Sequence, residues 1–292
     1  MRLALVFDKV REDTLGVYVE RACRELGISY EHFWTQHAGT IPSGYDLYLR
    51  VDHGDYHHDL PDHLRPRAFY AADTHLPKSW KRIRRLARRY DLVCCVHRNA
   101  AESLPNGAWV PVACDPQLHG MRPLPKRWDV AFVGTEGGVP RKFYLQALHE
   151  RYPSSFIGHA PHTQLGTIYS QAKIGFNYSI RDDVNMRIFE ILSSGTLLVT
   201  NRLNHDDLKR LGFRDREHLL TYRSPRELFA LIDDSLRRED EREAIARRGM
   251  AEAQQHHTYV HRLQQILQLA EARIGVRLMS TPASVPEASP CA

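Results

Sequence analysis

Short apolar runs alternate with amphipathic helical stretches over most of this chain, and this alternation restricts the fold more than any other feature. Apolar strands are predicted at residues 3–7, 45–51, 67–71, 92–96, 110–112, 129–134, 155–157, 174–178 and 196–200. Helices are predicted at residues 15–26, 81–90, 142–152, 163–172 and 184–194, and the chain reads as helical from 225 to 273. This order predicts an α/β protein with two doubly wound, Rossmann-like parallel-sheet domains that face each other across a cleft.

Composition indicates where the domains end. Residues 121–128 hold two prolines and three basic residues, which is typical of a linker. We therefore predict an N-terminal domain at 1–120 and a C-terminal domain at 121–256. A C-terminal helix at 257–275 and a disordered tail at 276–292 follow, because three prolines stand among serine and alanine in that tail.

The overall composition is that of an ordinary globular protein. Hydrophobic residues make up 42% and charged residues 26%, which excludes fibrous, disordered and disulfide-framework proteins. The apolar runs are too short to cross a bilayer, and the five cysteines contain no Cys-x-x-Cys motif. We expect a cytoplasmic protein with reduced thiols, with attachment to the inner membrane face as an alternative. A net charge of +5 fits an anionic ligand.

The most informative stretch is residues 185–201, which contain nearly all of the helix predicted at 184–194 and the apolar strand that follows it. Arg187 and Glu190 lie one turn apart on one face of this helix and lean toward the carboxyl end of the sheet. A carboxylate there can bind both hydroxyls of a ribose, while an arginine and the helix dipole can hold a diphosphate. The alternative is an ordinary surface pair of arginine and glutamate.

A glycine turn follows the strand predicted at 129–134, with Gly134 at its end and residues 137–138 behind it. Backbone N–H groups in such a turn can approach a phosphate. Arg141 and Lys142 come next and can neutralise a diphosphate, although the start of a helix with two solvated bases explains them equally well.

On the N-terminal side, Asp73 and His75 follow the strand predicted at 67–71, where an open sheet faces its cleft. Either side chain can orient or deprotonate an acceptor hydroxyl. The alternative is a turn aspartate and an exposed histidine. Residues 13–16 can cap the first helix toward the cleft and meet a phosphate.

Two runs have an unusual composition, one rich in histidine and one rich in basic residues. Histidines and aspartates alternate from His53 to His63, but their spacing fits no standard metal motif. We expect a polar loop there that can touch the acceptor, not a metal site. The basic run from Lys81 to Arg89 can contact an anionic surface, and its alternative is the solvated face of an amphipathic helix. We expect no nucleic-acid partner.

Several of these stretches together resemble one known family. Residues 172–201 are similar to the C-terminal domain of GT-B glycosyltransferases, specifically of the CgeB-like, spore-maturation group. Matching stretches lie at residues 129–134, 217–222 and 257–262, so the resemblance covers about half of the chain. It implies a hexosyltransferase-type glycosyltransferase whose C-terminal domain binds a nucleotide-sugar donor, while the N-terminal domain binds the acceptor.

Retaining GT-B enzymes carry two acidic residues with the spacing of Asp182 and Glu190. By that match Glu190 would hold the ribose hydroxyls and Asp182 would lie near the donor sugar. Asp182 stands where the family has glutamate, and Asp183 is an equally good candidate; either aspartate can also cap the helix that follows.

The reaction expected from this resemblance needs neither a metal nor a cofactor. The chain lacks the Asp-x-Asp motif of metal-dependent GT-A transferases, so helix dipoles and basic side chains would stabilise the leaving diphosphate. We predict retaining transfer of a sugar to a hydroxyl of a glycan, a protein or a small molecule. The alternative is a non-catalytic protein that binds a nucleotide or a sugar phosphate on the same fold.

Overall fold

Two parallel sheets with helices on both faces organise the computed structural model, which describes residues 1–275. The first half of the chain contains β1 (Arg2–Val6), α1 (Leu15–Glu25), β2 (Ser29–Phe33), β3 (Leu47–Val51), β4 (Arg67–Ala71), α2 (Pro77–Ala87), β5 (Leu92–Cys95), α3 (Arg98–Glu102), β6 (Gly107–Trp109) and α4 (Pro116–His119). The second half contains β7 (Trp128–Val133), α5 (Arg141–Arg151), β8 (Ser155–Gly158), α6 (Leu165–Ser170), β9 (Ala172–Asn177), α7 (Met186–Ser193), β10 (Leu197–Asn201), α8 (Asp207–Arg210), β11 (Leu220–Tyr222), α9 (Pro225–Arg237), α10 (Glu239–His256) and α11 (Tyr259–Ile274).

Both sheets are wound in the same way. The first has the strand order β2-β1-β3-β4-β5-β6 and the second has the order β11-β10-β9-β7-β8, with parallel pairing throughout. The winding direction reverses between β1 and β3 in the first sheet and between β7 and β9 in the second. Loops diverge at such a switch point and leave a crevice beyond the carboxyl ends of the strands. The predicted doubly wound architecture is confirmed.

The interior strands were predictable because their side chains are buried on both sheet faces. Every residue of β3, β4 and β5 is buried, as expected for strands covered by helices on both sides. The edge strands β2 and β11 were missed. β2 lies at the rim of its sheet and has no fully buried residue, so its sequence lacks an apolar run.

Two other element predictions need correction. The strand predicted at 110–112 lies at Gly107–Trp109, because Pro111 lacks the N–H that a sheet ladder needs. The helix predicted at 81–90 begins at Pro77, a residue that favours the first turn, and ends at Ala87. The predicted tail at 276–292 lies outside the described residues.

Helix α11 returns to the first sheet after the second has been completed. Leu263, Ile266 and Leu267 are buried in the core that α1 and the first sheet share. Arg262, buried beside them, donates from Nε to the carbonyl oxygen of Pro111 at 2.9 Å. The end of the chain therefore fastens the second half to the first. No helix in the described part of the chain combines the length and hydropathy that a bilayer-spanning segment needs.

Candidate functional site

Arg187 lies at the switch point of the second sheet. Its Nε donates to the carbonyl oxygen of Val133 at 2.9 Å, and its Nη1 donates to Oδ1 of Asn177 at 3.0 Å. Because Val133 ends β7 and Asn177 ends β9, one guanidinium joins the two strands that flank the crevice. A Cβ at Gly134 would overlap Nη2 of Arg187, so glycine is required for this close approach.

A second guanidinium lies beside the first. Arg141, at the start of α5, and Arg187 both stack on the ring of Phe132, at 5.6 and 4.4 Å from its centroid. Burial and the neighbouring Arg187 lower the pKa of Arg141. Within residues 1–275 neither arginine forms an ion pair with a carboxylate. Two guanidinium groups without a counter-ion in one crevice favour an anion such as a diphosphate.

A cavity of about 460 Å³ opens in front of these arginines, within the size range of small-molecule sites. Nine of its lining residues come from the second half of the chain, and one comes from the loop between β4 and α2 of the first. Those used below are Arg141, Asp183, Asn185, Arg187 and Glu190 from the second half and His75 from the first. The cavity therefore lies where the two halves of the molecule face each other.

Glu190 lines this cavity although its residue is only 7% exposed. Burial raises the pKa of its carboxyl to about 7, with Arg187 opposing the shift and Asp13 of the first half adding to it. Among the described residues its carboxylate has no hydrogen bond or ion pair. A buried carboxylate without a partner is costly, so hydroxyl groups of a ligand in the cavity would satisfy it.

Three further polar atoms around this cleft are buried without a hydrogen-bond partner in the described part of the chain. They are Oγ1 of Thr14, Nδ1 of His75 and Oδ1 of Asn185. Thr14 precedes α1 and follows Asp13, the residue that raises the pKa of Glu190. Buried polar atoms rarely lack partners, and His75 and Asn185 both line the cavity, so each half of the molecule presents an unpaired polar atom there.

The two candidate aspartates separate in the structure. Asp182 has a positive φ of 57°, and its carboxylate accepts a hydrogen bond from the backbone N–H of Asn204 at 2.8 Å. It lines a different cavity, of about 230 Å³, whereas Asp183 lines the cavity of Glu190. The predicted capping of the helix by either aspartate is wrong, because Asn185 occupies the N-cap position of α7.

Two further candidate residues do not line the cavity of Glu190. Lys142 is exposed on α5 and does not line the cavity of Glu190. Asp73 does not line it either, but it shares the β4–α2 loop with His75. Burial and the nearby Asp52 raise the pKa of Asp73, whose carboxylate has no hydrogen bond among the described residues. Asp73 is therefore a free carboxylate close to the cavity.

One group of described side chains has the spacing of metal ligands. Ligand atoms of Asp8, His53 and Asp55 lie within 4.8 Å of one another at the switch point of the first sheet. The backbone N–H of Thr35 donates to Asp8 at 2.7 Å, and Nδ1 of His58 lies 2.7 Å from Asp55. Protein groups thus already contact both carboxylates.

Two residues that contribute to the site, Asn177 and Phe132, were not predicted from the sequence. Asn177 holds Arg187, and Phe132 supports both guanidinium groups. A polar residue at the end of the apolar run 174–176 was a usable signal for Asn177, because a buried amide at the carboxyl end of a strand needs a partner. Phe132 carried no signal, since an aromatic residue in a strand is ordinary.

The chain is similar to known glycosyltransferases. Residues 118–268 match the family model described as "Glycosyl transferase-like". No curated protein matches the chain. Among solved structures, an α-glucosyltransferase bound to UDP and DNA has a TM-score of 0.67 at 9% identity, covering 92% of this chain and 99% of that one.

Two further structures span equally large parts of both chains. The BGT enzyme of phage T4, bound to UDP-glucose, has a TM-score of 0.58 at 11% identity and covers 95% of this chain and 100% of its own. HepE of Anabaena, bound to UDP and glucose, has a TM-score of 0.58 at 12% identity, with 93% and 100% covered. The matched model spans more than half of the residues, so the chain belongs to the glycosyl transferase-like family and has the GT-B fold.

Proposed function

We propose that this protein transfers a sugar from a nucleotide-sugar donor to an acceptor hydroxyl. One observation carries the proposal: the unpartnered carboxylate of Glu190 shares a cavity with the uncompensated guanidinium groups of Arg141 and Arg187. A nucleoside diphosphate offers the matching chemistry in one molecule. Its ribose hydroxyls donate to a carboxylate, and its phosphate oxygens accept from guanidinium groups.

The same arginines would assist bond cleavage. Negative charge builds up on the diphosphate as the bond between the anomeric carbon and the phosphate oxygen breaks. Arg187 is held in place by two strand ends and Arg141 lies beside it, so both would stabilise this charge without rearrangement. We therefore keep metal-independent transfer, without a cofactor, as part of the proposal.

The acceptor hydroxyl would enter from the side of the first sheet. His75 lines the cavity with an unpartnered Nδ1, and Asp73 is a free carboxylate in the same loop. We propose that these residues position the acceptor, and that the departing phosphate takes its proton in a retaining reaction. Asp183 replaces Asp182 as the acid nearest the donor sugar, because only Asp183 lines the cavity.

Similar solved structures suggest the donor to test first. Two of them are complexes with UDP-glucose or with UDP and glucose. The assignment to the CgeB-like group rests on the sequence motifs and belongs to the same proposal. Neither the fold nor the family fixes the sugar, so the experiment must survey several donors.

A thermal-shift panel of UDP-, GDP-, TDP- and ADP-sugars tests the proposal. We expect one nucleotide class to raise the melting temperature of the wild-type protein and to be hydrolysed slowly without an acceptor. Binding without any release of nucleoside diphosphate, with or without acceptors, would instead support a non-catalytic binding protein. No response to any nucleotide sugar would overturn the proposal.

A further inference from the structure

Helix α2 carries an unusual stripe of positive charge. Lys81, Arg84, Arg85 and Arg88 are all exposed and follow the i, i+3, i+4, i+7 spacing that places residues on one helix face. Within residues 1–275 none of these four side chains forms an ion pair. Like charges at this spacing repel each other, so the stripe lowers the stability of the helix unless a partner neutralises it.

Many cations elsewhere in the molecule pair with a neighbouring carboxylate. On α10, Arg242 pairs with Glu239 at 2.8 Å and Arg247 with Glu243 at 3.5 Å. Even Arg89, directly after the stripe, pairs with Asp59. Helix α2 cannot supply such partners itself, because its sequence contains no acidic residue.

The stripe forms one wall of a groove of about 840 Å³. Residues 103–106, between α3 and β6, form the opposite wall. This volume is in the range of sites for small molecules or short chain segments. A groove with cations along one wall offers charge complementarity to an extended anionic chain.

The Lys81 end of the stripe lies nearer to the candidate active site, and the Arg88 end lies at the opposite edge of the first sheet. Helix α2 begins at Pro77, two residues after His75, which lines the cavity of Glu190. At about 1.5 Å per helical residue, Lys81 lies about 6 Å along the axis from Pro77, and Arg88 about 10 Å farther. A chain bound along this stripe can therefore extend its end toward the cavity.

The surroundings of the stripe argue against two other anionic partners. The apolar side of α2, with Ile83 and Ala87, is buried in the core, so the helix has no apolar face to insert into a bilayer. Trp80 is half-buried and Arg84 lies over its ring at 5.9 Å. The groove thus offers no free aromatic face on which a nucleic-acid base could stack.

We propose that this groove binds an anionic glycan, a sugar chain that carries carboxylate, sulfate or phosphate groups, and that such a chain is the acceptor. The part about the acceptor rests on the proposed glycosyltransferase function. The proposed binding of the glycan does not rest on it, because the exposed cations, their missing ion pairs and the groove are independent of any donor.

The test compares two variants with equal changes in charge. One replaces the stripe (Lys81→Gln, Arg84→Gln, Arg85→Gln and Arg88→Gln), and the matched control replaces four exposed arginines on α9 and α10 or their junction (Arg237→Gln, Arg238→Gln, Arg247→Gln and Arg248→Gln). Fluorescence anisotropy measures binding of labelled heparin and polygalacturonate fragments without a donor. We expect the stripe variant to bind at least tenfold more weakly than the control variant and the wild type.

Equal losses in the two variants, or no binding of either fragment to the wild type, would overturn the proposal. So would stronger binding to a DNA duplex or to phosphatidylserine vesicles that depends on the same four cations. The acceptor role is tested by release of nucleoside diphosphate from the donor found in the panel. An anionic glycan should accelerate it in the wild type and the control but not in the stripe variant.

Acceleration by neutral glucose oligosaccharides that is equal in both variants would overturn the acceptor role. Failure of the proposed function gives a different pattern: the labelled fragments bind through α2, but no nucleotide sugar binds or is turned over. Thermal shifts with nucleoside diphosphate alone should be equal in both variants, which shows that the donor cavity is intact.

Discussion

The two sheets share one winding, but their switch points carry opposite polar chemistry. In the first sheet, Asp8 follows β1 and His53 follows β3, with Nε2 of His53 3.2 Å from Oδ2 of Asp8. Thr35 donates both its backbone N–H and its hydroxyl to Asp8. In the second sheet, Arg187 spans the two strand ends and the carboxylate of Glu190 has no partner among the described residues. One switch point is internally paired, and the other is left open for a ligand.

The loop that contains the histidine-rich run shows how firmly the first site is fixed. Arg50 pairs with Asp59 at 2.6 Å, and Arg67, equally buried, pairs with Asp62 at 2.9 Å. Arg89 adds a pair with Asp59 at 2.5 Å. Removing one partner of such a pair leaves the buried charge of the other without compensation, which is costly. These contacts therefore hold the loop in one conformation. The same winding thus provides a crevice beside each sheet, but the two crevices differ in whether their polar groups, among the described residues, are already paired.

The largest effect should come from removing the open carboxylate. We expect Glu190→Ala to weaken binding of the donor's nucleoside diphosphate by about a hundredfold or more, because two charge-assisted hydrogen bonds are worth about 3–5 kcal/mol together. Asp8→Asn, at the paired switch point, should change this affinity less than about threefold. Isothermal titration calorimetry measures both. Equal losses in the two variants would contradict the contrast between the sheets.

The interior strands of both sheets could be predicted from the sequence, because a strand buried on both faces needs an apolar run. The helical spacing also predicted that Arg187 and Glu190 share one face. It did not predict that Arg187 turns back to hold Val133 and Asn177. That contact depends on β7 and β9 being neighbours in the sheet, and strand order is not encoded in any local pattern.

The sequence pattern also could not distinguish the environments of Asp182 and Asp183. The spacing to Glu190 fits Asp182, and Asp183 was an equally good candidate. The path of the backbone separates them: the left-handed conformation of Asp182 goes with a carboxylate that bonds to the N–H of Asn204, and Asp183 lines the cavity. Adjacent residues with the same chemistry can be separated only by the path of the loop.

A smaller effect should follow from removing one of the two unpaired guanidinium groups. Arg141→Gln should weaken nucleoside diphosphate binding about tenfold and leave nucleoside binding unchanged, because a hydrogen bond to a charged group is worth about 1.5 kcal/mol. Lys142→Gln is the matched control, since Lys142 is adjacent, exposed and outside the cavity. Equal loss of nucleoside and diphosphate binding in Arg141→Gln would exclude a phosphate contact.

The smallest expected effect is on the free energy of unfolding of the protein without a ligand. The pKa of Glu190 is about 7 in the folded protein and near its ordinary value of 4.5 in the unfolded chain. The folded state therefore binds more protons between these values, so its stability falls as pH rises through this window. The full shift corresponds to about 3 kcal/mol, and water in the open cavity reduces the effect, so we expect about 1 kcal/mol.

Glu190→Gln removes this penalty, so the variant should be about 1 kcal/mol more stable than the wild type at pH 8 and equal to it near pH 4. Asp8→Asn should have the opposite sign, because its carboxylate accepts two hydrogen bonds from Thr35 and is satisfied by the fold. Urea unfolding at both pH values measures the two differences. A destabilising Glu190→Gln at pH 8 would mean that the fold itself needs this carboxylate, and the second switch point would then be a paired site like the first.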